Sequence, residues 1–309
     1  MSKALVTGGA GFIGSHIVEK LVDLGHDVTV LDDLSTGNPA NLDDVQDEVT
    51  IIEGDMLDTA VAEKAVTGND YVFHTAAIAS VNLSVEDPQW SFQHNVVATI
   101  GLLNASRRAG IKRFIFSSSS ATYGFAETLP VTESHPPNPA SPYALDKVTA
   151  EQYLRLYAGL YDVDSVALRY FNVYGPRQNA DAPHPGGVTI VISQIRDSGS
   201  SQVLGDGRQT RDMIYIGDVV DANIAAMNVP SRLNGVGINI CTGRSILITE
   251  MHEKISELMG SESVRESVAC PDGNIIDSAG DPSLAKKTIG YEAQTPLEDG
   301  LRKTIDWSQ

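Results

Sequence analysis

The stretch "TGGAGFIG" (residues 7–14) is the part of the sequence that decides the fold class. It follows a short apolar run, "KALVT" (3–7), which has the length of a buried strand. It opens an amphipathic run, "IGSHIVEKLVDLG" (13–25), and one helical face of that run carries Ile13, Ile17, Leu21 and Leu24. The order strand, glycine-rich turn and helix is the context in which such a turn can bind a dinucleotide.

The glycines of this turn fit two dinucleotide-binding spacings. Gly9, Gly11 and Gly14 fit G-x-G-x-x-G, and Gly8, Gly11 and Gly14 fit G-x-x-G-x-x-G. Glycine lets the backbone turn tightly and approach a pyrophosphate, whose charge is held by free N–H groups at the helix N-terminus. The alternative is a glycine-rich turn without a ligand.

Further strand-like runs alternate with amphipathic stretches along the chain. The runs are "DVTVLD" (27–32), "VTIIEGD" (49–55), "DYVFHT" (70–75), "RFIFSS" (113–118) and "SVALRYF" (165–171). This alternation predicts an α/β fold with a doubly wound parallel sheet of the Rossmann type, with ligands at the carboxyl ends of the strands.

A second, smaller region is predicted after Gly175, where "GPRQNADAPHPGG" is typical of a loop. The runs "DMIYIGD" (212–218) and "GVGINIC" (235–241) are expected to return to the first domain. The predicted dinucleotide-binding domain therefore comprises residues 1–171 and about 212–243. The predicted substrate-binding domain comprises about 172–211 and 244–309.

Composition and charge narrow the classes of function. A chain of 309 residues with 42% hydrophobic and 20% charged residues is globular, and no apolar run reaches the roughly 20 residues of a membrane span. The N-terminus lacks the pattern of a signal peptide, and the two cysteines, Cys241 and Cys270, lie far apart, so a cytoplasmic protein is expected. The net charge of −18 argues against nucleic acid as a partner. It indicates a well-solvated surface, with salt adaptation as the alternative.

Asp32 ends the second strand-like run, about 20 residues beyond the glycines. A carboxylate there can accept a hydrogen bond from the adenosine ribose and repel a 2′-phosphate. The sequence therefore predicts NAD rather than NADP.

A tyrosine and a lysine share a helical face in "SPYALDKVTAEQYLRLY" (141–157). Ser141 is a predicted N-cap and Pro142 a predicted first helical residue, while Tyr143 and Lys147 lie four residues apart. A nearby ammonium and a cationic nicotinamide would both favour phenolate, which would make Tyr143 a usable general base. The seven histidines have no metal-ligand spacing, so no metal site is predicted.

Motifs in a characteristic order carry a resemblance to a known family. They are "TGGAGFIG", "LDDLSTG", "GDMLD", "HTAAIASV", "FSSSSATYG", "SPYALDK", "LRYFNVYGPRQ" and "GDGRQTRDMIYIGDVVDA". Over nearly its whole length the chain resembles the extended short-chain dehydrogenase/reductase family, and within it the nucleotide-sugar 4-epimerases such as UDP-glucose 4-epimerase.

The resemblance implies the roles of individual residues. Ser119 would be the catalytic serine beside Tyr143 and Lys147. Ser120 is an alternative, because it adds a second hydroxyl at a position where many relatives have alanine. The implied cofactor-binding residues are Gly8, Gly11, Phe12, Ile13, Gly14, Asp32, Asp33, Asp55, Met56, Ala76, Ala77, Asn95, Ser118, Tyr143, Lys147 and Tyr170. The implied substrate-binding residues are Ser80, Ser119, Tyr143, Asn172, Arg211 and Ser278.

By the same resemblance the reaction is an NAD-dependent 4-epimerisation through a 4-keto sugar, with no net redox change. Relatives that eliminate water typically carry an acidic residue just after the catalytic serine or threonine, which "SSSSATYG" lacks. One alternative is a dehydrogenase on the same scaffold, which would accumulate NADH. Another is a protein that senses NAD or acts as a scaffold without catalysis.

Three further expectations follow from the resemblance. Relatives have an R-x-G-D segment that contacts the nucleotide, whereas "CPDGNIIDS" lacks the arginine and has Asn274 in place of the aspartate. Aligning this segment puts Ser278 at the wall beside the sugar 2-position, where a small residue would admit an N-acetyl group; the alternative is that Ser278 is a turn residue. Relatives also pair two long helices with their copies, so a homodimer is expected, with Leu154, Leu156 and Tyr157 among the apolar residues available for it.

Overall fold

The structure is a computed structural model that describes residues 1–180, 185–262, 264–269 and 276–308. Its core is a parallel sheet between two layers of helices. Across the described residues, we find no helix with the length and apolar character needed to cross a membrane.

Twelve strands are formed by the described residues. They are β1 (Lys3–Thr7), β2 (Asp27–Asp32), β3 (Val49–Glu53), β4 (Tyr71–His74), β5 (Arg113–Ser119), β6 (Ser165–Tyr170), β7 (Asn172–Tyr174), β8 (Ser200–Leu204), β9 (Thr210–Tyr215), β10 (Val236–Ile240), β11 (Ser245–Leu247) and β12 (Val264–Val268).

Eleven α-helices occur in the same ranges. They are α1 (Phe12–Asp23), α2 (Thr59–Val66), α3 (Val81–Glu86), α4 (Pro88–Phe92), α5 (Ala98–Ala109), α6 (Pro142–Tyr161), α7 (Gly187–Ser198), α8 (Ile216–Asn228), α9 (Ile248–Leu258), α10 (Ser283–Ile289) and α11 (Leu297–Ser308).

Seven parallel strands form the main sheet, in the order β10-β6-β5-β4-β1-β2-β3. Val6 of β1 is the register partner of Val30 on one side and of Phe73 on the other. Apolar cores cover both faces of the sheet, as the continuous apolar runs require. The predicted doubly wound fold is confirmed.

Of the two later runs expected to return to the first domain, one joins the main sheet. Strand β10 joins the main sheet beside β6, and α8 packs in the same core as α1. Strand β9 instead pairs with β7 and β11 in a separate three-stranded sheet. Its alternating side chains pack into the smaller core around Tyr174 and Met213, which holds it outside the main sheet.

Two helical predictions differ in detail. Leu24 is 48% exposed because α1 ends at Asp23, so the residue lies beyond the helix rather than on its buried face. The stretch "WSFQHNVVATIGLLNASRR" (90–108), expected to be one of the two long pairing helices, contains a π-helical turn, Gln93–Val97, between α4 and α5.

The apolar residues expected to serve a dimer are distributed differently. Leu154 and Tyr157 are buried in the core beneath α6, so they are used within the subunit. Leu156 is 52% exposed. The extra apolar residues on this helix therefore belong partly to the subunit core.

Candidate functional site

The glycine-rich turn joins β1 to α1 in a conformation that side chains would block. Gly8 has a φ of +67°, and the Gly11 amide donates to the Gly8 carbonyl at 3.0 Å. A Cβ on Gly14 would lie 2.1 Å from the Gly8 carbonyl oxygen. Gly11 is the N-cap of α1 and offers no side-chain acceptor to the first turn. The helix therefore presents N–H groups to an anion, which fits a dinucleotide pyrophosphate.

A cavity opens at the carboxyl ends of β1, β2 and β4. The predicted residues that line it are Gly8, Gly11, Phe12, Ile13, Gly14, Asp32, Asp33, Asp55, Met56, Ala76 and Ala77. The segment 35–37 and the residues Thr75, Ile78, Ala79 and His94 complete much of the wall. The structure thus brings eleven of the predicted cofactor residues to one cavity.

Asp32 is the buried carboxylate of this cavity. Its two oxygens accept hydrogen bonds from the backbone amides of Ala10 and Leu34, each at 2.9 Å. Burial raises its pKa, and those two amides act in the opposite direction. A Cβ on Gly37 would lie 2.8 Å from Asp32 Oδ1, so the neighbouring loop closes tightly over the carboxylate. The backbone therefore holds the Asp32 carboxylate in place at the cavity wall.

Asn95 lies behind the cavity wall instead of in it. Its Oδ1 accepts from the Ile78 amide at 2.8 Å, and its Nδ2 donates to the Ile78 carbonyl at 3.2 Å. Ile78 and Ala79 line the cavity. Asn95 therefore holds the loop that lines the cavity by bonding both the amide and the carbonyl of Ile78.

A second cavity adjoins the first and shares Ala79 with it. Ser119 enters it from the end of β5, and Tyr143 enters it from the first turn of α6. The Ser141 hydroxyl caps α6 by accepting from the Ala144 amide at 3.2 Å, and Pro142 is the first helical residue, as predicted. The cap fixes where the helix begins and hence where Tyr143 points.

Lys147 is buried, and Tyr143 is partly buried at the cavity. Lys147 Nζ lies 5.7 Å from the centre of the Tyr143 ring and donates to the Ser117 carbonyl at 2.8 Å. Burial lowers the pKa of Lys147 to about 8, while Asp146 and Glu151 act in the opposite direction. Desolvation raises the pKa of Tyr143, and the Ser119 hydroxyl acts against that shift.

The four serines of residues 117–120 have different environments. The Ser117 hydroxyl forms a hydrogen bond of 3.1 Å with the Tyr170 hydroxyl, in which either group can be the donor. The Ser118 hydroxyl donates to Glu151 Oε1 at 2.6 Å. Ser119 and Ser120 line the Tyr143 cavity. Ser118, predicted to line the cofactor, therefore points away from the cleft, because strand side chains alternate. Of these two, Ser119 is the residue whose hydroxyl lowers the pKa of Tyr143, and its Oγ also accepts from the Ala121 amide at 3.1 Å.

The predicted substrate residues come from several segments. Asn172, Arg211 and Ser278 line the same cavity as Tyr143, and Tyr170 does so too. Ser80 lines a larger neighbouring groove and caps α3. Asn274 and Cys270 lie outside the described residues. The structure thus brings Asn172, Arg211 and Ser278 together with Ser119 and Tyr143.

Two features of the site have no place among the sequence predictions. Asp277 also lines the Tyr143 cavity and accepts from the Thr210 hydroxyl at 2.8 Å. Behind Ser118, Glu151 forms a buried ion pair with Arg169, at 2.5 Å between Oε2 and Nη2. The two members of this pair lie on α6 and β6, so no local spacing in the sequence indicates it.

Two features together define the class of this protein. One is the cavity formed by the glycine turn and the acidic residue at the end of β2, and the other is the adjoining cavity that contains a serine and a tyrosine. The fold and site are those of a Rossmann-type dinucleotide-dependent enzyme that acts on a second ligand. The chain belongs to the NAD dependent epimerase/dehydratase family, whose family model matches residues 4–241.

Known proteins resemble the chain over its full length. A putative UDP-glucose 4-epimerase of Methanocaldococcus jannaschii is 37% identical, over 98% of this chain and 97% of that protein. The solved UDP-N-acetylglucosamine 4-epimerase of Methanobrevibacter ruminantium, in complex with UDP-N-acetylmuramic acid, is 39% identical with a TM-score of 0.94, covering 99% of this chain and 98% of that one. The UDP-glucose 4-epimerase of Thermotoga maritima, solved with UDP-glucose, is 35% identical with the same TM-score and the same coverage.

Proposed function

We propose that the protein is an NAD-dependent 4-epimerase of UDP-sugars. One observation carries the proposal: Ser119 and Tyr143 line a cavity that adjoins the dinucleotide cavity through Ala79. A sugar in the second cavity would lie beside a cofactor in the first. The UDP-sugars in the names of the similar proteins support this substrate class.

Tyr143 is the proposed general base and acid. It takes the proton of the sugar 4-hydroxyl as the 4-keto sugar forms, and it returns the proton after the sugar has turned over. Ser119 donates to the sugar oxygen or to the phenolate, which stabilises the charge that develops there. Bound NAD supplies the hydride acceptor and, in the return step, the hydride donor at C4.

Lys147 is proposed to act from behind Tyr143. Its ammonium is within reach of the Tyr143 ring and of a cofactor ribose, and it favours the phenolate once Tyr143 loses its proton. Because its pKa is lowered to about 8, activity should fall as the pH rises through that value.

Asn172 and Arg211 are the proposed contacts to the nucleotide part of the substrate. Arg211 Nη1 donates to the carbonyls of Thr210 and Ile276, at 2.8 and 3.2 Å, which orients its guanidinium at the cavity wall. A guanidinium at that wall suits a diphosphate, and it is a local basic group on a chain of net charge −18.

The alternatives differ in what accumulates. A dehydrogenase on this scaffold would build up NADH in proportion to product, and a protein that only binds NAD would turn nothing over. A dehydratase needs an acid beside the hydroxyl residue. Here Ser119 is followed by Ser120 and Ala121, neither of which is an acid. Among the described residues that line this cavity, the acidic one is Asp277, which comes from a different segment of the chain.

The test is incubation with UDP-glucose, UDP-N-acetylglucosamine and their galacto epimers, followed by product analysis and assay of NADH. Interconversion of epimers without net NADH is the expected result. Stoichiometric NADH, or an unsaturated or deoxygenated sugar, would favour the alternatives.

We also propose that the substrate range includes the N-acetylated sugars. Ser278 lines the Tyr143 cavity, and its carbonyl accepts from the Ser245 hydroxyl at 2.6 Å, which anchors the backbone of this wall. A serine leaves room for a 2-acetamido group that a larger side chain would fill.

A homodimer through α5 and α6 is the proposed assembly. Leu156 and Leu160 are 52% and 67% exposed on α6, and Val97, the residue before α5, is 44% exposed. Tyr157 links the two helices by donating to Asn104 at 2.9 Å, so they present one surface. Light scattering should return a dimer for wild type and a monomer for Leu156→Asp, whereas Leu204→Asp on β8 should stay dimeric. A wild-type monomer would contradict the proposal.

A cytoplasmic location is the remaining proposal. NAD dependence and two widely spaced cysteines favour it. Epimerase activity confined to the soluble cytoplasmic fraction of disrupted cells is the expected result, and activity in an extracellular fraction would contradict it.

A further inference from the structure

Asp146 is a buried carboxylate for which the resemblance supplies no role. It is 4% exposed on α6, next to Lys147 in the sequence. Its Oδ2 accepts from the Ser91 hydroxyl at 2.6 Å and from Asn95 Nδ2 at 3.2 Å. A carboxylate out of water is costly unless such donors satisfy it, so these contacts hold α6 to the segment that carries Ser91 and Asn95.

That segment includes the π-helical turn Gln93–Val97. A π turn is rare, and it interrupts the helical ladder between α4 and α5. Asn95 is 3% exposed within the turn and grips Ile78 by both its amide and its carbonyl. Ile78 lines the dinucleotide cavity, so the contacts run from Asp146 through Asn95 to the cofactor wall.

The same turn is held from the sheet side. The Thr99 hydroxyl donates to the Asn95 carbonyl at 2.6 Å and lies 2.9 Å from His74 Nε2. His74 Nδ1 in turn lies 2.7 Å from the Thr7 hydroxyl at the end of β1. The backbone of Asn95 is therefore fixed by the sheet, while its side chain is oriented by Asp146 and Ser91.

We propose that Asp146 is a positioning residue for the cofactor: through Asn95 it holds the Ile78 loop against NAD. The inference rests on the proposed function only through NAD, so cofactor content can be measured apart from epimerisation.

Two substitutions test this role. Asp146→Ala removes the acceptor, and the NAD content of the purified variant should fall about tenfold or more below wild type, measured in the supernatant after denaturation. Asp146→Asn keeps an acceptor of the same shape, so its NAD content should stay near wild type.

The route through Asn95 has its own test. In an Asn95→Ala background, Asp146→Ala should have little additional effect on NAD content. Asp164→Asn is the matched control, since Asp164 is also buried and holds Arg113 at 2.8 Å, at the opposite end of β5. It should lower the melting temperature without lowering NAD content.

Several results would overturn the proposal. Wild-type NAD content in Asp146→Ala would do so, as would an equal further loss in the Asn95→Ala background or a loss in Asp146→Asn as large as that in Asp146→Ala. If Asp146→Ala does not fold, Asn95→Ala takes its place and should show the same loss of NAD; wild-type NAD content there would contradict the proposal. A wild-type protein with no affinity for NAD would instead contradict the proposed function.

Discussion

The two halves of the cleft are assembled in different ways. The turn at the dinucleotide cavity is one continuous segment between β1 and α1, and its shape follows from glycines that leave no room for a Cβ. The cavity around Tyr143 draws on β5, α6, the end of β6 and the segments around Arg211 and Ser278. The first half depends on local backbone conformation, whereas the second depends on how distant segments pack together.

The largest expected effect is in the second half. Tyr143→Phe should reduce kcat by about a thousandfold, because it removes the proton carrier while keeping the ring, and NAD content should stay unchanged. Tyr153→Phe, on the same helix but packed in the subunit core, is the control and should keep near-normal activity. Near-normal turnover in the Tyr143 variant would remove Tyr143 from the mechanism.

In the dinucleotide half of the cleft, one added methyl group should be enough to disturb the glycine turn. In Gly14→Ala the new Cβ would lie 2.1 Å from the Gly8 carbonyl oxygen, so the turn must shift and NAD content should fall by tenfold or more, as a rough expectation. Gly159→Ala on α6 meets nothing within 4 Å and should leave NAD content intact. Equal NAD content in the two variants would show that the turn does not hold the cofactor.

A smaller change sharpens the substrate half. Ser278→Tyr should lower kcat/KM for the N-acetylated sugar pair by roughly tenfold or more relative to the plain hexoses, because a phenol fills the space of the acetamido group. Ser283→Tyr, at the exposed start of α10, should leave the ratio unchanged. An unaffected N-acetylated pair in the Ser278 variant means that this residue is not the wall.

The smallest expected effect concerns the core that both halves share. Burial lowers the pKa of His74 to about 3, while the unfolded chain titrates near 6.5, so the unfolded state binds the proton preferentially between these values. The contribution of His74 to stability is present above pH 6.5 and is lost as the pH falls toward 3. The difference in melting temperature between wild type and His74→Gln should therefore shrink on acidification, and a constant difference would contradict this assignment.

The contrast between the two halves also explains what the sequence predicts. Gly8, Gly14 and Asp32 could be placed in advance, because a glycine turn and a strand end are local patterns with a known ligand geometry. The cap of α6 by Ser141 was predictable for the same reason.

Other features depend on packing that no local pattern encodes. Asn95 was expected at the cofactor, yet it holds Ile78 from behind, since a π turn rotates its side chain toward Asp146. The run 212–218 was expected to return to the first domain, and the structure pairs its strand β9 with β7 and β11 in a separate sheet. The apparently surplus Leu154 and Tyr157 fill the subunit core.

The central claim is that one hydrogen leaves C4 and returns to C4 within the same cleft. UDP-galactose labelled with deuterium at C4 tests it, with the position of the label in the UDP-glucose product read by mass spectrometry and NMR. The account predicts that the deuterium stays on C4 of the product, with no loss to solvent and no labelled NADH released. Washout of the label, or its accumulation in free NADH, would contradict the account.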